Sequence, residues 1–147
     1  MPLSGDFDRS LSLQAMFAGI SRDGIGATRA AMAETQKLTA ECFEHESDPR
    51  GQMWAPLAES TLKRRKPGPI LAGILPDLLW RITGLGQWLL RSNRKPYAVY
   101  HLGPDKRTGR PDRAFQPVHP GGMLAWGVRV HGALGRWLDD HRRRVRL

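Results

Sequence analysis

The order of apolar and polar positions predicts helix in the first third of the chain. Four apolar residues between positions 10 and 20 are three or four positions apart, which puts them on one helix face. They are Leu13, Met16, Phe17 and Ile20. Residues 27–43 are rich in alanine and other strong helix formers and predict a second helix. Because glycines separate the two segments, the pattern fits either a helical pair or one long kinked helix.

Proline and glycine divide the middle of the chain into short elements. A polar turn is predicted over residues 44–52, and Pro56 favours an extended residue before it. Residues 59–62 predict a short helical turn, which a Pro-Gly-Pro sequence then stops. A further short helix is predicted after Thr83 and Gly84, because four residues there have helical spacing. They are Leu85, Trp88, Leu89 and Ser92.

The last third of the chain predicts strands followed by a helix. Residues 97–102 are aromatic and β-branched, which favours a strand. A second strand is predicted over 124–130, where apolar residues occupy every second position. They are Leu124, Trp126, Val128 and Val130. Residues 132–146 return to helical spacing. The predicted fold is α+β: an N-terminal helical pair or long kinked helix, a small antiparallel sheet and a C-terminal helix.

Length and charge add a domain prediction and a question about partners. At 147 residues the chain predicts a single domain, with a helical part at 1–46 and a basic tail at 140–147. The net charge of +9 is uneven: residues 1–59 carry −4, residues 60–113 carry +9 and residues 114–147 carry +4. This asymmetry favours a polyanionic partner, or subunits that stack an acidic face on a basic face.

The sequence carries little catalytic chemistry. The five histidines are not spaced as metal ligands, no nucleophile elbow or phosphate-binding glycine loop is present, and no cofactor is expected. Cys42 is the only cysteine, so an internal disulfide is excluded, and its place on an apolar helix face predicts a buried structural thiol. The longest apolar run is too short to span a bilayer. We therefore expect a soluble protein that is not an enzyme.

Two basic clusters are candidate contact sites. The first occupies residues 63–66 and the second residues 142–144. Their members are Lys63, Arg64, Arg65, Lys66, Arg142, Arg143 and Arg144. Such runs can bind phosphates, yet neither is surrounded by a known nucleic-acid-binding motif. The sequence favours a solvated or protein-facing role and keeps nucleic-acid binding as the alternative.

Residues 48–65 form a distinctive run: an Asp-Pro-x-Gly turn, then Trp-x-Pro-Leu, then Ser-Thr-Leu with basic residues. Its members are Asp48, Pro49, Gly51, Trp54, Pro56, Leu57, Ser60, Thr61, Leu62, Arg64 and Arg65. This run resembles the signature of the phage virion morphogenesis family, the tail-completion and neck proteins of tailed bacteriophages. Further elements resemble the family in the same order: Ile70-Leu71, Thr83-Gly84-Leu85 with Ser92, Tyr97-Ala98 with His101 and Gly103, and residues 111–115. The family's hairpin between Thr-Gly-Leu and Tyr-Ala has too few residues here.

The resemblance implies a structural protein without catalysis, found in the tail or neck of the virion and assembled in the bacterial host cytoplasm. Implied partners are a tail tube, tail terminator or head-tail connector protein, and a cyclic homo-oligomer is the expected form. We expect partner or neighbour contact from eight residues: Trp54, Pro56, Leu57, Lys63, Arg64, Arg65, Arg113 and Phe115. For Trp54, a purely structural role as a core anchor is the competing interpretation.

Overall fold

The computed structural model describes residues 18, 22–64, 66–71, 73–92, 113–117 and 119–145. Its main elements are two long helices, a short helix and a β-hairpin. In chain order they are α1 (Gly24–Glu44), α2 (Glu59–Arg64), a 3₁₀ turn (Leu75–Asp77), β1 (Leu78–Gly84), β2 (Gln87–Ser92) and α3 (Pro120–Val145). A long N-terminal helix, a small antiparallel sheet and a C-terminal helix confirm the α+β prediction.

Helix α1 forms where alanine and strong helix formers predicted it, and three threonines lie on its buried face. Thr28, Thr35 and Thr39 each donate a hydroxyl hydrogen bond to the carbonyl four residues earlier. Each hydroxyl oxygen also accepts a bond from another part of the chain. The donors are the backbone N–H of Gly86, the indole of Trp126 and the side-chain amide of Gln116. These threonines therefore tie α1 to the hairpin, to α3 and to the loop before α3.

Helix α3 packs against α1 and begins earlier than the sequence predicted. The strand predicted over 124–130 is wrong, because those residues belong to α3. The inward residues are Trp126, Val130 and Ala133, which have helical spacing, whereas Leu124 and Val128 are exposed. The apparent alternation thus arose from adding exposed apolar residues to a helical pattern. The predicted basic tail is likewise helical as far as Val145.

The short helix predicted after Thr83 is also wrong, because this segment is the β1–β2 hairpin. The strands are antiparallel, with Ile82 opposite Trp88 and Trp80 opposite Leu90. Gly86 supplies the positive φ of 66° that the turn between them requires. On the inner face of the hairpin, Trp88 packs against Trp126 of α3 with ring centroids 6.4 Å apart, and Leu78 and Leu90 pack at the edge of the hydrophobic core. Thr83 and Gly84 therefore end β1, so the Thr-Gly-Leu segment of the resemblance lies within this hairpin rather than before one.

The hydrophobic core lies between the end of α1 and the irregular segments that follow it. Its buried members are Cys42, Phe43, Trp54, Ile70, Leu71, Ile74 and Phe115, with Leu57, Leu75, Leu78 and Leu90 packed at its edge.

Two sequence predictions, the helix at 10–20 and the strand at 97–102, lie outside the described residues apart from position 18.

Candidate interaction site

The candidate site begins with a tight turn that follows α1. The Asp48 carboxylate accepts backbone hydrogen bonds from Arg50 at 2.8 Å and from Gln52 at 3.0 Å. It also forms an ion pair with the Arg50 guanidinium. Gly51 adopts a φ of 83°, which L side chains rarely adopt, and a bridge between Ser47 and Met53 closes the turn. The Asp-Pro-x-Gly sequence therefore forms a turn in which the buried Asp48 carboxylate binds two backbone N–H groups and the Arg50 side chain.

The charge of Asp48 is stabilised by this turn. Burial opposes ionisation, but hydrogen bonds from the Arg50 side chain and from the backbone N–H groups of Gln52 and Arg50 outweigh it. The pKa of the Asp48 carboxyl therefore lies below its ordinary value of 3.8. Asp48 is an ionised anchor for the turn across the whole physiological pH range.

Trp54 anchors the extended segment after the turn. Its side chain is 5% exposed, and its ring meets Phe43 edge-on at a centroid distance of 5.4 Å. Its indole N–H donates a 2.9 Å hydrogen bond to the carbonyl of Ala114, sixty residues later in the chain. Phe115 also packs against Phe43, with centroids 5.1 Å apart. Trp54 and Phe115 therefore both contact the end of α1.

Arg113 also holds the extended segment in place, through hydrogen bonds to two of its carbonyls. Its Nε donates to the carbonyl of Ala55 at 2.9 Å, and its terminal nitrogen donates to the carbonyl of Pro56 at 3.0 Å. The planar guanidinium suits two neighbouring carbonyl acceptors in this way, whereas a lysine ammonium lacks the same fixed geometry. Pro56 has no backbone N–H to donate, and the carbonyls of Ala55 and Pro56 are satisfied by the Arg113 side chain. We call residues 48–57, held in this manner, the anchored segment.

The structure divides the predicted contact residues into two groups. Trp54, Arg113 and Phe115 are buried within the chain, so the prediction that they form a contact surface is corrected: they hold the anchored segment in place. Pro56 is exposed and Leu57 is half-buried. Lys63, Arg64 and Lys66 are exposed, and Arg65 lies outside the described residues. The accessible members of the predicted site are thus concentrated on and after α2.

Helix α2 is an unusual surface element. None of its six residues is buried, and Leu62 is 57% exposed. A helix this short is not stable in isolation, since nucleating one costs more than a single turn returns. Its support comes from the anchored segment and from an exposed ion pair of 2.8 Å between Glu59 and Lys63. The outcome is a short helix that presents apolar and basic side chains to the solvent.

The second basic cluster lies at the end of α3. Arg142, Arg143 and Arg144 are exposed in the last helical turns, where their charge complements the negative end of the helix dipole. Arg143 lies 3.9 Å from Asp140 on the same helix. The two basic clusters thus occupy different elements, α2 with the residues after it and the end of α3.

A partly buried ion-pair network between the long helices was missed by sequence reasoning. Arg129 on α3 binds Glu34 at 2.9 Å and also forms a bidentate pair with Glu41, both on α1. The hydrogen bonds from Arg129 lower the pKa of Glu41 below its ordinary value of 4.5, although partial burial opposes this. Glu34 and Glu41 are seven residues apart, which is two helical turns. This spacing is the only sequence signal that one cation could bridge them.

Cys42 is the buried thiol that the sequence predicted. Burial, followed by the negative charges of Asp48 and Glu41, raises the pKa of the thiol to about 12. The nucleophilic thiolate is therefore scarce at neutral pH. In the folded protein at mildly alkaline pH, we expect a thiol reagent to label Cys42 at a rate set by unfolding. Labelling should become fast in denaturant, as followed by mass spectrometry. Rapid labelling without denaturant would contradict the buried position.

Comparisons of the chain with protein-family models, with curated proteins and with solved structures find no match. The relation to the virion morphogenesis family consequently stays a prediction based on the motif. Among the described residues, no three potential metal ligands are grouped closely enough to hold an ion. Within that same part of the chain, no helix is both long and apolar enough to cross a membrane.

Proposed function

We propose that this chain is a non-enzymatic structural protein of a tailed bacteriophage or prophage that acts in tail completion or head-tail joining. Its role would be exercised through protein-protein contacts made by α2 and the basic residues after it. The observation that carries the proposal is the attachment of two separated motif elements to each other. Trp54 donates to Ala114, and Arg113 donates to Ala55 and Pro56, across about 60 residues of sequence.

This attachment fixes the position of the Trp-x-Pro-Leu segment. Trp-x-Pro-Leu and the element containing Arg113 and Phe115 are two parts of the resemblance that lie far apart in the sequence. Their pairing fixes the direction in which the chain leaves the core at Leu57. A pre-ordered segment loses little conformational entropy when a partner binds it, so more of the contact energy becomes affinity. An assembly protein that must present one surface repeatedly around an axis benefits from such rigidity.

The surface so presented is suited to another protein. Leu62 offers apolar area while Lys63 and Arg64 offer charge, and none of them is buried in the chain. Arginine together with apolar side chains is typical of protein interfaces. Under this proposal, the partners are a tail tube, tail terminator or head-tail connector protein. The chain would act as a cyclic homo-oligomer in the tail or neck of the virion.

The proposal is tested in the phage or prophage that encodes the chain. The double substitution K63E/R64E reverses charge on α2 without touching a buried residue. We expect about a tenfold or greater loss of infectious particles, with separate heads and tails visible by electron microscopy, since like charges across an interface are strongly unfavourable. The matched control is R142E/R143E, which makes the same charge change on α3. Normal particle yield from K63E/R64E would contradict the proposed contact surface.

Nucleic-acid binding is a second candidate, because the described residues of both basic clusters are exposed to solvent. Light scattering of the purified chain, at low and high salt and with and without duplex DNA, separates the two functions. The structural role predicts a discrete multimer that persists at high salt and ignores DNA. The alternative predicts a monomer whose mass rises only with DNA at low salt, since phosphate contacts weaken steeply as salt increases. In that case R142E/R143E would also lower DNA binding.

A further inference from the structure

The outer face of the β1–β2 hairpin combines apolar and cationic side chains. Residues at alternate positions of both strands point away from the core, as the burial pattern of each strand shows. Leu79 is 43% exposed and Leu89 is 49% exposed. Leu79 lies opposite Arg91, and Arg81 lies opposite Leu89. The two leucines and two arginines thus form a diagonal pattern, with leucine facing arginine at both positions. We call these four residues the hairpin face.

The arginines of the hairpin face have no counter-charge of their own. Among the described residues, neither the Arg81 nor the Arg91 guanidinium has a hydrogen-bond or ion-pair partner, and both residues are exposed. Arg81 and Arg91 are diagonal neighbours on the antiparallel pair, and such residues are about 7–8 Å apart at the base of their side chains. Two carboxylates about 7 Å from each other would therefore match the spacing of the two arginines.

A second copy of this chain is poorly suited to supply those carboxylates. Most carboxylates of the first 59 residues that the structure describes are engaged within the chain. The engaged carboxylates are Glu34 and Glu41 with Arg129, Glu46 with the N–H of Ile70, Asp48 with Arg50, and Glu59 with Lys63. The two that remain, Asp23 and Glu44, lie at opposite ends of α1, whose outward side carries Arg29 and Lys37 between them. Asp139 and Asp140 on α3 lie beside the basic residues Arg142, Arg143 and Arg144. The expected stacking of an acidic face on a basic face thus lacks a separate acidic face among the described residues.

We propose that the hairpin face is a docking surface for a different protein, one that presents carboxylates around an apolar patch. The positive charge of the two arginines favours an acidic partner, and the two exposed leucines favour a protein over a nucleic acid. Phosphate backbones offer no apolar surface for leucine to bury, whereas protein interfaces combine apolar contact with arginine. This inference rests on the hairpin alone and goes beyond the tail-completion role, which was assigned to α2.

The test uses the full chain and three defined probes. The first is a peptide with Glu-Thr-Glu-Thr-Leu-Thr repeated twice, which places two glutamates about 7 Å apart, with a leucine beside them, along one face of an extended strand. The second has serine in place of every leucine and keeps the charge. The third is a short DNA duplex. Binding is measured by fluorescence anisotropy with labelled probes. Far-ultraviolet circular dichroism of each variant establishes that it is folded.

We expect the leucine peptide to bind best, and R81E/R91E to weaken its binding about tenfold. The matched control R29E/K37E makes the same charge change on α1 and should alter the dissociation constant less than about twofold. L79S/L89S should weaken the leucine peptide and leave the serine peptide unchanged, because only the leucine peptide uses apolar contact.

Three results would overturn the proposal. One is that R81E/R91E and R29E/K37E weaken peptide binding equally, which would indicate general charge attraction rather than a docking face. Another is the absence of binding to both peptides. The third is DNA binding that is tighter than peptide binding and depends on Arg81 and Arg91, which would make the hairpin face a nucleic-acid surface. Because Lys63 and Arg64 are unchanged in every variant, none of these results bears on the α2 contact.

Discussion

Replacing Trp54 with alanine should lower the free energy of unfolding by about 3–5 kcal/mol, the usual cost of removing a large buried aromatic side chain. The substitution deletes the edge-on contact with Phe43 and the hydrogen bond to Ala114. Domains of this size are stable by only about 5–15 kcal/mol, so the loss is a large part of the total. Urea unfolding followed by circular dichroism measures it directly.

The conservative variant Trp54→Phe separates the two contributions. It keeps most of the ring volume and loses the hydrogen bond from the indole N–H, so we expect a cost of about 1–2 kcal/mol. Both variants should also loosen the segment before α2 and speed tryptic cleavage at Lys63 and Arg64. If W54A unfolds at the same urea concentration as the unchanged protein, Trp54 is not the anchor described above.

Replacing Arg129 with methionine should cost about 2–3 kcal/mol. The change leaves Glu41 without its cation and Glu34 with only a distant pair to Arg136, at 3.6 Å. Breaking a fully buried pair costs about 3–5 kcal/mol, and partial exposure of Arg129 reduces this. Thermal and urea unfolding both report the difference.

The control for Arg129 is Arg136→Met, which removes an exposed arginine on the same helix. Its expected cost is below about 1 kcal/mol, as for most surface pairs. Adding E34Q and E41Q to R129M should recover much of the lost stability, because the carboxylates that would remain unpaired are then neutral. Equal effects of R129M and R136M would show that the network contributes no more than a surface pair.

The same network predicts a pH dependence. Because Arg129 lowers the pKa of Glu41 in the folded protein, the stabilisation is complete above the ordinary value of 4.5. It is lost as the pH falls through the folded-state pKa. The stability difference between the unchanged protein and R129M should therefore be constant near neutral pH and shrink under acid. A difference that grows with acid would have the wrong sign for this mechanism.

Sequence reasoning was accurate where one residue type dictates local geometry. Asp48, Gly51 and Pro56 correctly predicted a turn followed by an extended segment, because their backbone preferences are strong. It failed in the hairpin and at the start of α3. Helical spacing from Leu85 to Ser92 used residues that the structure exposes, Leu85 and Leu89. A better signal was the alternation of Trp80 and Ile82 before a Gly-Leu-Gly turn and of Trp88 and Leu90 after it.

The candidate site was only partly predictable for a related reason. The residue types show that the Trp54 and Arg113 side chains are large and can donate hydrogen bonds. They do not show that Trp54 donates to Ala114 and Arg113 to Ala55, across about 60 residues. Long-range pairing of this kind depends on the packing of α1 beneath both. The ion pairs of Arg129 with Glu34 and Glu41 could not be predicted for the same reason. A count of charges therefore overestimated the negative charge on the surface of the first part of the chain.

The three threonines of α1 set the position of this helix along its own axis. Each accepts a hydrogen bond from a different part of the chain, at a different height along the helix. Sliding α1 by one turn in either direction would leave two of the three donors, on Gly86, Gln116 and Trp126, without an acceptor, because only Thr35 and Thr39 are one turn apart. Apolar contacts tolerate such a slip, whereas these bonds do not. The threonines therefore fix the register of α1 against the hairpin and α3, which apolar packing alone would leave less sharply defined.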